Sequence, residues 1–217
     1  MSTGAQLIAR ATRKIDEPSY TQADILDLLN QGLLKATELL MFPGLQATDE
    51  VTTATGANSV NLPANYQKGL YRAMNADKSP LIIKPNLAAL LDLVGNDYGE
   101  AGDVSVVCEH GTTLVYDRIP AAAVDITLFY YRKPAAITAL TTALDGVTPA
   151  VLTRIEEAIV HYAAYAGYED IENDRDVQKI DTNHNLTRFE AIIEEIRRTT
   201  SVGVSLPAPP VVMGCFR

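Results

Sequence analysis

Helical periodicity at both ends of the chain, with a different pattern between them, is the feature that most limits the possible folds. At the N-terminal end, apolar residues recur every three or four positions in two segments separated by Pro18. The apolar positions are Leu7, Ile8, Ala11 and Ile15 in the first segment and Ile25, Leu28, Leu29, Leu33, Ala36 and Leu40 in the second. Thr21 and Asp24 have the spacing of a capping box, so we predict a helix that starts after Thr21. Gly32 weakens this helix by about 1 kcal/mol relative to alanine, and Pro43 ends it.

The last third of the chain has the same periodicity. Thr148 and Pro149 predict a helix start, with Thr148 as the N-cap and Pro149 as the first helical residue. This helix has roughly 25 residues, and the polar break NDRD separates it from a second helix. The apolar positions are Leu152, Ile155, Ile159, Tyr162 and Ala166 in the first helix and Leu186, Phe189, Ile192, Ile193 and Ile196 in the second.

The middle of the chain has the composition of short strands. The segment ATDEVTTATGANSVNLPANY predicts a short hairpin followed by a loop. The segment VSVVCEHGTTLVYD predicts a second hairpin with His110–Gly111 at its turn. In VDITLFYYRKP, large residues lie on both faces of one predicted strand, which Pro134 ends. The segment NLAALLDLVGND predicts one small helix, with Asn86 as its cap and Gly95 as its stop.

These patterns predict the α+β class. We expect a helical bundle formed from the N- and C-terminal helices, with an inserted small antiparallel β domain and an extended C-terminal arm. The N-terminal helices of the bundle are expected in residues 1–44, the β-rich insertion in residues 45–147 and the C-terminal helices in residues 148–200. The last segment, residues 201–217, is called the C-terminal arm.

The composition excludes several classes of function. The chain has 217 residues, of which 18 are basic and 27 acidic, and its formal net charge is -9. Wrapping a nucleic-acid backbone requires clustered Lys and Arg, so this charge argues against that role. The first residues lack a signal peptide's apolar core, and no apolar run approaches the ~20 residues that cross a bilayer. Cys108 and Cys215 are too far apart in the sequence to predict a disulfide framework. We therefore expect a soluble cytosolic protein without a membrane partner.

No group of residues predicts catalysis, and we expect no catalytic residue, no cofactor and no metal ion. His161 has no second metal ligand at i+4, so a core or interface position is expected for it, whereas His110 and His184 are expected at the surface. Neither cysteine lies in a nucleophile motif. The Gly-rich segment 95–103 lacks the ending of a phosphate-binding loop, and segment 170–181 resembles a calcium loop but lacks its required glycine.

The C-terminal arm is too apolar for a solvated tail and too rich in proline for a helix. Its only charged side chain is Arg217. Two placements remain open, a groove or sheet edge on the same subunit and the surface of another polypeptide, and we favour the second. Its extended residues would reach roughly 55–60 Å. The residues expected to make this contact are Val202, Val204, Leu206, Pro207, Pro209, Val211, Val212, Met213 and Phe216.

Three segments resemble the head–tail adaptor (connector) proteins of tailed bacteriophages. The segment DITLFYYRKPAAIT has a strand that ends in the aromatic pair Tyr130–Tyr131, followed by Arg132 and Pro134. The segment GVTPAVLTRIEEAIVHYAAYAGYEDIENDRD has a helix that starts at Pro149, is rich in Ala and Tyr, and precedes an acidic turn. ADILDLLNQGLLKA, near the N-terminus, is also similar to the family, so the likeness spans nearly the whole chain.

The resemblance implies a structural virion protein without enzymatic activity. It implies a homo-oligomeric ring of twelve copies between the portal protein and the tail or nozzle proteins. DNA would pass through the channel of this ring without specific binding, because acidic walls repel its phosphates. The location implied is the virion neck at the portal vertex, with the host cytoplasm during assembly. The C-terminal arm would then contact the portal or a neighbouring subunit.

Two alternative interpretations stay open. The first is another virion component, such as a tail-completion or stopper protein. The second is a small cytosolic ligand-binding protein or hydrolase with a pocket near Tyr130, His161 and Tyr162.

Overall fold

The computed structural model describes residues 2–139, 149–171 and 179–201. Its α-helices are, in chain order, α1 (Gly4–Ile15), α2 (Gln22–Leu39), α3 (Leu87–Val94), α4 (Pro149–Ile171) and α5 (Lys179–Ser201). Its strands are β1 (Gln46–Thr52), β2 (Ser59–Asn61), β3 (Tyr66–Asn75), β4 (Ile82–Lys84), β5 (Val106–His110), β6 (Thr113–Tyr116) and β7 (Asp125–Arg132). The chain divides into a helical unit, Met1–Leu40 with Ala135–Arg217, and a β unit, Met41–Pro134. The predicted α+β class is confirmed.

In the helical unit, α4 packs against α1, α2 and α5. Because these partners surround it, buried residues lie on several sides of α4 instead of in one stripe. The buried side chains of α4 include Leu152, Ile155, Ala158, Ile159, Val160, Ala163 and Ala164. On α2, a Cβ added at Gly32 would lie 3.1 Å from the carbonyl oxygen of Ile159. The glycine that weakens α2 as an isolated helix therefore lets α2 approach the backbone of α4.

The start of α2 and the apolar faces of α2 and α5 are confirmed. The hydroxyl oxygen of Thr21 accepts a hydrogen bond from the Asp24 N–H, and the Asp24 carboxylate accepts one from the Thr21 N–H. All six predicted apolar positions of α2 are buried, and α5 buries most of its predicted face, namely Phe189, Ile192, Ile193 and Ile196. The predicted cap Thr148 and the NDRD break lie outside the described residues. Within the described ranges, no helix combines the length and the apolarity that spanning a bilayer requires.

The β unit contains two sheets. One has the order β1–β7–β3 with antiparallel pairs. The other has the order β2–β6–β5–β4, in which β4 and β5 run parallel and the remaining pairs antiparallel. Both sheets contribute to one apolar core, to which the central strand β7 supplies Ile126, Leu128 and Tyr130. Leu90 of α3 packs with Val106 and other residues on the opposite face of the second sheet.

Two local predictions for the β unit are confirmed. β5 and β6 form the predicted hairpin, and Gly111 in its turn has a φ of +62°, a conformation that glycine adopts without strain. The small helix predicted around NLAALLDLV is α3, where the side-chain oxygen of Asn86 accepts a hydrogen bond from the Ala89 N–H. Cys108 fills a strand interior and is completely buried.

The first predicted hairpin is wrong. β1 pairs with β7 and β2 pairs with β6, so the two segments belong to different sheets. The Thr-, Asn- and Gly-rich sequence between them indicates a turn but carries no information on the partner of each strand. β3 was not predicted, because Gly69 has a φ of +71° and the pairing register shifts between Tyr66 and Arg72, which interrupts the alternating pattern.

Candidate functional site

A cleft of about 350 Å³ lies between α1 and α4 in the helical unit. Its lining residues are Arg10, Arg13, Lys14, Glu157, Val160 and His161. The three basic residues belong to α1 and are spaced i, i+3 and i+4, so one face of that helix presents all of them. We call this site the basic cleft.

His161 links three helices at the basic cleft and is buried, as its core prediction requires. Its Nδ1 atom lies 2.9 Å from Oδ1 of Asn185 on α5, and its Nε2 atom lies 3.1 Å from Nζ of Lys14 on α1. An amide oxygen can only accept a hydrogen bond, so Nδ1 carries the proton. Nε2 of the neutral imidazole then accepts a hydrogen bond from the Lys14 ammonium group.

The surroundings of the basic cleft favour the neutral form of His161. Burial lowers the pKa of His161 below its ordinary value of 6.5. The hydrogen bond to Asn185 and the charge of Glu157 oppose this lowering, whereas the charges of Lys14 and Arg188 add to it. Burial also lowers the pKa of Lys14, against the opposing effect of Glu157 and with the help of neighbouring arginines. The charges of Arg10, Lys14 and Arg188 contribute to these lowered pKa values, so several cations lie close together at this site.

Carboxylates pair with part of that positive charge. Arg10 lies 3.8 Å from the buried carboxylate of Glu156. Arg188 on α5 lies 3.5 Å from Glu157.

The described residues contain little that is suited to catalysis. They bring together no group of three His, Cys, Asp or Glu side chains that could hold a metal ion. Burial raises the pKa of the Cys108 thiol, which lies inside the β unit. His110 and His184 are exposed, as predicted. The basic cleft offers hydrogen-bond donors and positive charge, so the chemistry that it supports is the binding of an anionic group.

A second candidate surface lies on the first sheet of the β unit. The ring of Tyr71 lies with its centroid 5.7 Å from that of Tyr131 and 6.3 Å from that of Phe129. The guanidinium group of Arg72 lies 5.5 Å from the Phe129 ring centroid, within the range of a cation–π contact. Tyr71 is 41% exposed. An aromatic cluster with one exposed ring and an adjacent arginine has the composition typical of protein interfaces.

The contact residues of the C-terminal arm, Val202 to Phe216, lie outside the described residues, and so does most of segment 170–181. Tyr130 is buried in the β unit, and its hydroxyl group is hydrogen-bonded with Asp49 and Asn65. His161 and Tyr162 belong to the helical unit, where Tyr162 packs edge-on against Phe189 with ring centroids 5.2 Å apart. Tyr130 and Tyr162 therefore belong to two different units.

The basic cleft itself was not predicted. Its only local signal is the spacing of Arg10, Arg13 and Lys14 on one face of a predicted helix. Lys14 and His161 are 147 positions apart in the chain, so their contact requires the packing of α1 on α4.

Comparison with known proteins gives the family. The family model described as SU10 adaptor protein matches residues 2–210, a range that covers the whole β unit and nearly all of the helical unit. The chain therefore belongs to the SU10 adaptor protein family, a family of phage head–tail adaptors. No curated protein sequence matches the chain. The resemblance to head–tail adaptors is confirmed, and family membership gives the chain a structural adaptor role in a phage, with portal or tail proteins as its general partners.

Proposed function

We propose that this protein forms a homo-oligomeric ring, of twelve copies, between the portal protein and the tail or nozzle proteins. The observation that carries the proposal is the family match over residues 2–210, which extends through the helical unit, the inserted β unit and the first part of the C-terminal arm. The site of action is the virion neck, and the host cytoplasm is the place of assembly.

In this proposal the protein acts by binding and not by catalysis. His161 is buried, and its two ring nitrogens are hydrogen-bonded with Lys14 and Asn185. The thiol of Cys108 lies inside the β unit, where burial raises its pKa. Neither side chain offers the activated, accessible group that nucleophilic or acid–base chemistry requires.

The ring continues the DNA channel. A net charge of -9 suits a wall along which DNA passes, because like charge keeps the phosphate backbone from binding. In this proposal DNA therefore passes through the channel without being bound as a specific ligand.

The C-terminal arm makes the contact with the portal or with the neighbouring subunit. Its composition supports this part, because Val202, Val204, Leu206 and Phe216 are apolar residues in a segment with a single charged side chain. Each buried Val or Leu side chain contributes about 1.5–3 kcal/mol, so a few anchors suffice. Repetition around a ring strengthens the attachment further through avidity.

A truncation tests the role of the C-terminal arm. The variant that ends at Ser201 is compared with the full chain for cosedimentation with purified portal rings. We expect the truncated chain to remain helical and to lose most of its association with the portal or its assembly into a ring. Undiminished association and assembly would remove the C-terminal arm from the mechanism.

A pair of full-length variants separates the apolar contacts from the mere length of the arm. Val211→Asp with Val212→Asp places charges at two predicted contacts, whereas Ser205→Ala with Ala208→Ser changes two positions not predicted to make contacts. The first variant should reproduce the effect of the truncation and the second should behave like the unchanged protein. Equal behaviour of the two variants would contradict an apolar contact at Val211 and Val212.

A further inference from the structure

Two cations of the basic cleft lack a carboxylate partner among the described residues. Arg10 and Arg188 have Glu156 and Glu157 as partners, at 3.8 Å and 3.5 Å. Within the part of the chain that the structure describes, no carboxylate oxygen lies within 4.0 Å of a charged nitrogen of Arg13 or Lys14.

Lys14 is the more informative of the two. It is partly buried, and its ammonium group donates to the neutral ring of His161 over 3.1 Å. One ammonium group has three hydrogens, so two remain for another acceptor. A partly buried cation whose hydrogen-bond partner is uncharged is electrostatically unfavourable, and the charge of Glu157, which acts on Lys14 from beyond 4.0 Å, offsets this only in part because Glu157 is also paired with Arg188. An arriving anion would correct this imbalance.

The size and walls of the basic cleft favour a carboxylate over a nucleic-acid backbone. The cleft has a volume of about 350 Å³, and Glu157 is part of its lining. Binding a nucleic-acid backbone requires a cluster of Lys and Arg side chains, whereas in the described part of the cleft Arg13 and Lys14 are the two cations without a carboxylate oxygen within 4.0 Å. A single acidic side chain fits within this volume and would supply negative charge beside these two residues.

We propose that the basic cleft binds an acidic side chain of a second copy of this chain. The inference rests on the ring described under Proposed function, because a closed ring places two different surfaces of the same protein against each other. The chain has 27 acidic residues against 18 basic ones. Each copy therefore has an excess of acidic side chains, and one of them can supply negative charge to the basic cleft of its neighbour. The contact joins adjacent subunits and is distinct from the apolar contact of the C-terminal arm.

The test compares two lysine substitutions that remove the same charge from the helical unit. Lys14→Met keeps the apolar stem of the side chain but removes the ammonium group from the basic cleft. Lys35→Met is the matched control, because Lys35 lies on α2, 47% exposed, and is paired with Glu38 at 3.2 Å. Ring assembly on portal is measured by mass photometry over a range of protein concentrations, at low and high salt.

We expect Lys14→Met to need at least about tenfold more protein for half-maximal assembly, as for the loss of a close interfacial charge pair. Lys35→Met should assemble like the unchanged protein, and high salt should reduce the difference between the two variants. Assembly of Lys14→Met at the unchanged concentration would overturn the inference. Arg13→Gln gives the same test at a more exposed position if the far-UV circular dichroism of Lys14→Met shows a loss of helix.

Two further outcomes distinguish the rival explanations. If Lys14→Met weakens binding to a short DNA duplex while assembly is unchanged, the cleft binds phosphate and the inference is overturned. If neither the unchanged protein nor Lys35→Met forms rings, the proposed function fails and the inference fails with it. Failure of the inference alone is recognised by normal rings in all variants.

Discussion

Alanine substitutions at Gly32 and Gly167 measure how closely the helices of the helical unit approach one another. Both glycines lie inside helices, Gly32 in α2 and Gly167 in α4. Alanine is favoured over glycine in a helix interior by about 1 kcal/mol, so both substitutions share this gain. They differ in the atoms that the added Cβ would meet.

At Gly167, the nearest atoms to an added Cβ are methyl groups of Ile15 and Leu28, each at 3.4 Å. These are ordinary packing distances, so Gly167→Ala should raise the free energy of unfolding by about 0.5–1 kcal/mol. For a chain of this length, that gain corresponds to an increase in melting temperature of about 1–4 °C.

At Gly32, the nearest atoms are the carbonyl oxygen of Ile159 at 3.1 Å and Cβ of Tyr162 at 3.2 Å. Both atoms are fixed by the backbone of α4, so relief requires a shift of the whole helix. Overpacking of this kind typically costs about 1–3 kcal/mol, which cancels or exceeds the gain in helix propensity. Gly32→Ala should therefore be about 1–3 kcal/mol less stable than Gly167→Ala.

Urea unfolding followed by far-UV circular dichroism is the appropriate assay, because the four longest helices all belong to the helical unit. Tryptophan fluorescence cannot be used, since the sequence has no Trp. Equal stabilisation by the two alanines would refute the reasoning, because it would mean that α2 and α4 have room for a side chain at Gly32.

Three other substitutions test single polar contacts. Because the pKa of His161 in the folded protein lies below the ordinary 6.5, the unfolded chain binds more protons as the pH falls through that value. The free energy of unfolding should therefore fall as the pH drops below 6.5, measured as a falling urea midpoint. In His161→Gln this fall should be smaller; an equal fall in the variant and the unchanged protein would contradict a lowered pKa for His161. Asp117→Ala removes a buried carboxylate that accepts hydrogen bonds from the Ser105 N–H and hydroxyl and from the Val106 N–H. It should destabilise the β unit by about 3 kcal/mol or more, measured from near-UV tyrosine signals. A smaller loss of stability than that caused by Ser105→Ala would contradict this role of Asp117. Thr21→Ala removes the N-cap of α2 and should cost about 1 kcal/mol in far-UV urea unfolding; an unchanged midpoint would exclude a stabilising cap.

The helices were predictable because their signals are local. A capping box at Thr21 and Asp24, and burial at positions such as Leu29 and Leu33, depend on residues that are three or four positions apart. The turn at Gly111 is local in the same sense. For these features, the physical cause and the sequence pattern extend over the same few residues.

The strand pairing was less predictable because its causes are distant in the chain. Val51 of β1 lies opposite Ile126 of β7, and the sequence around either residue does not indicate that the other is its partner. The bulge at Gly69 conceals β3 by interrupting its alternation. The basic cleft was missed for the same reason, since Lys14 meets His161 only after α1 has packed on α4.

The number of subunits that bind one portal ring tests the central claim most directly. Mass photometry of portal rings with an excess of this protein should show a mass increase equal to twelve subunits of 23.5 kDa each. A portal ring that gains no mass, or a protein that stays a 23.5 kDa monomer under all conditions in which the portal ring is intact, would contradict the account.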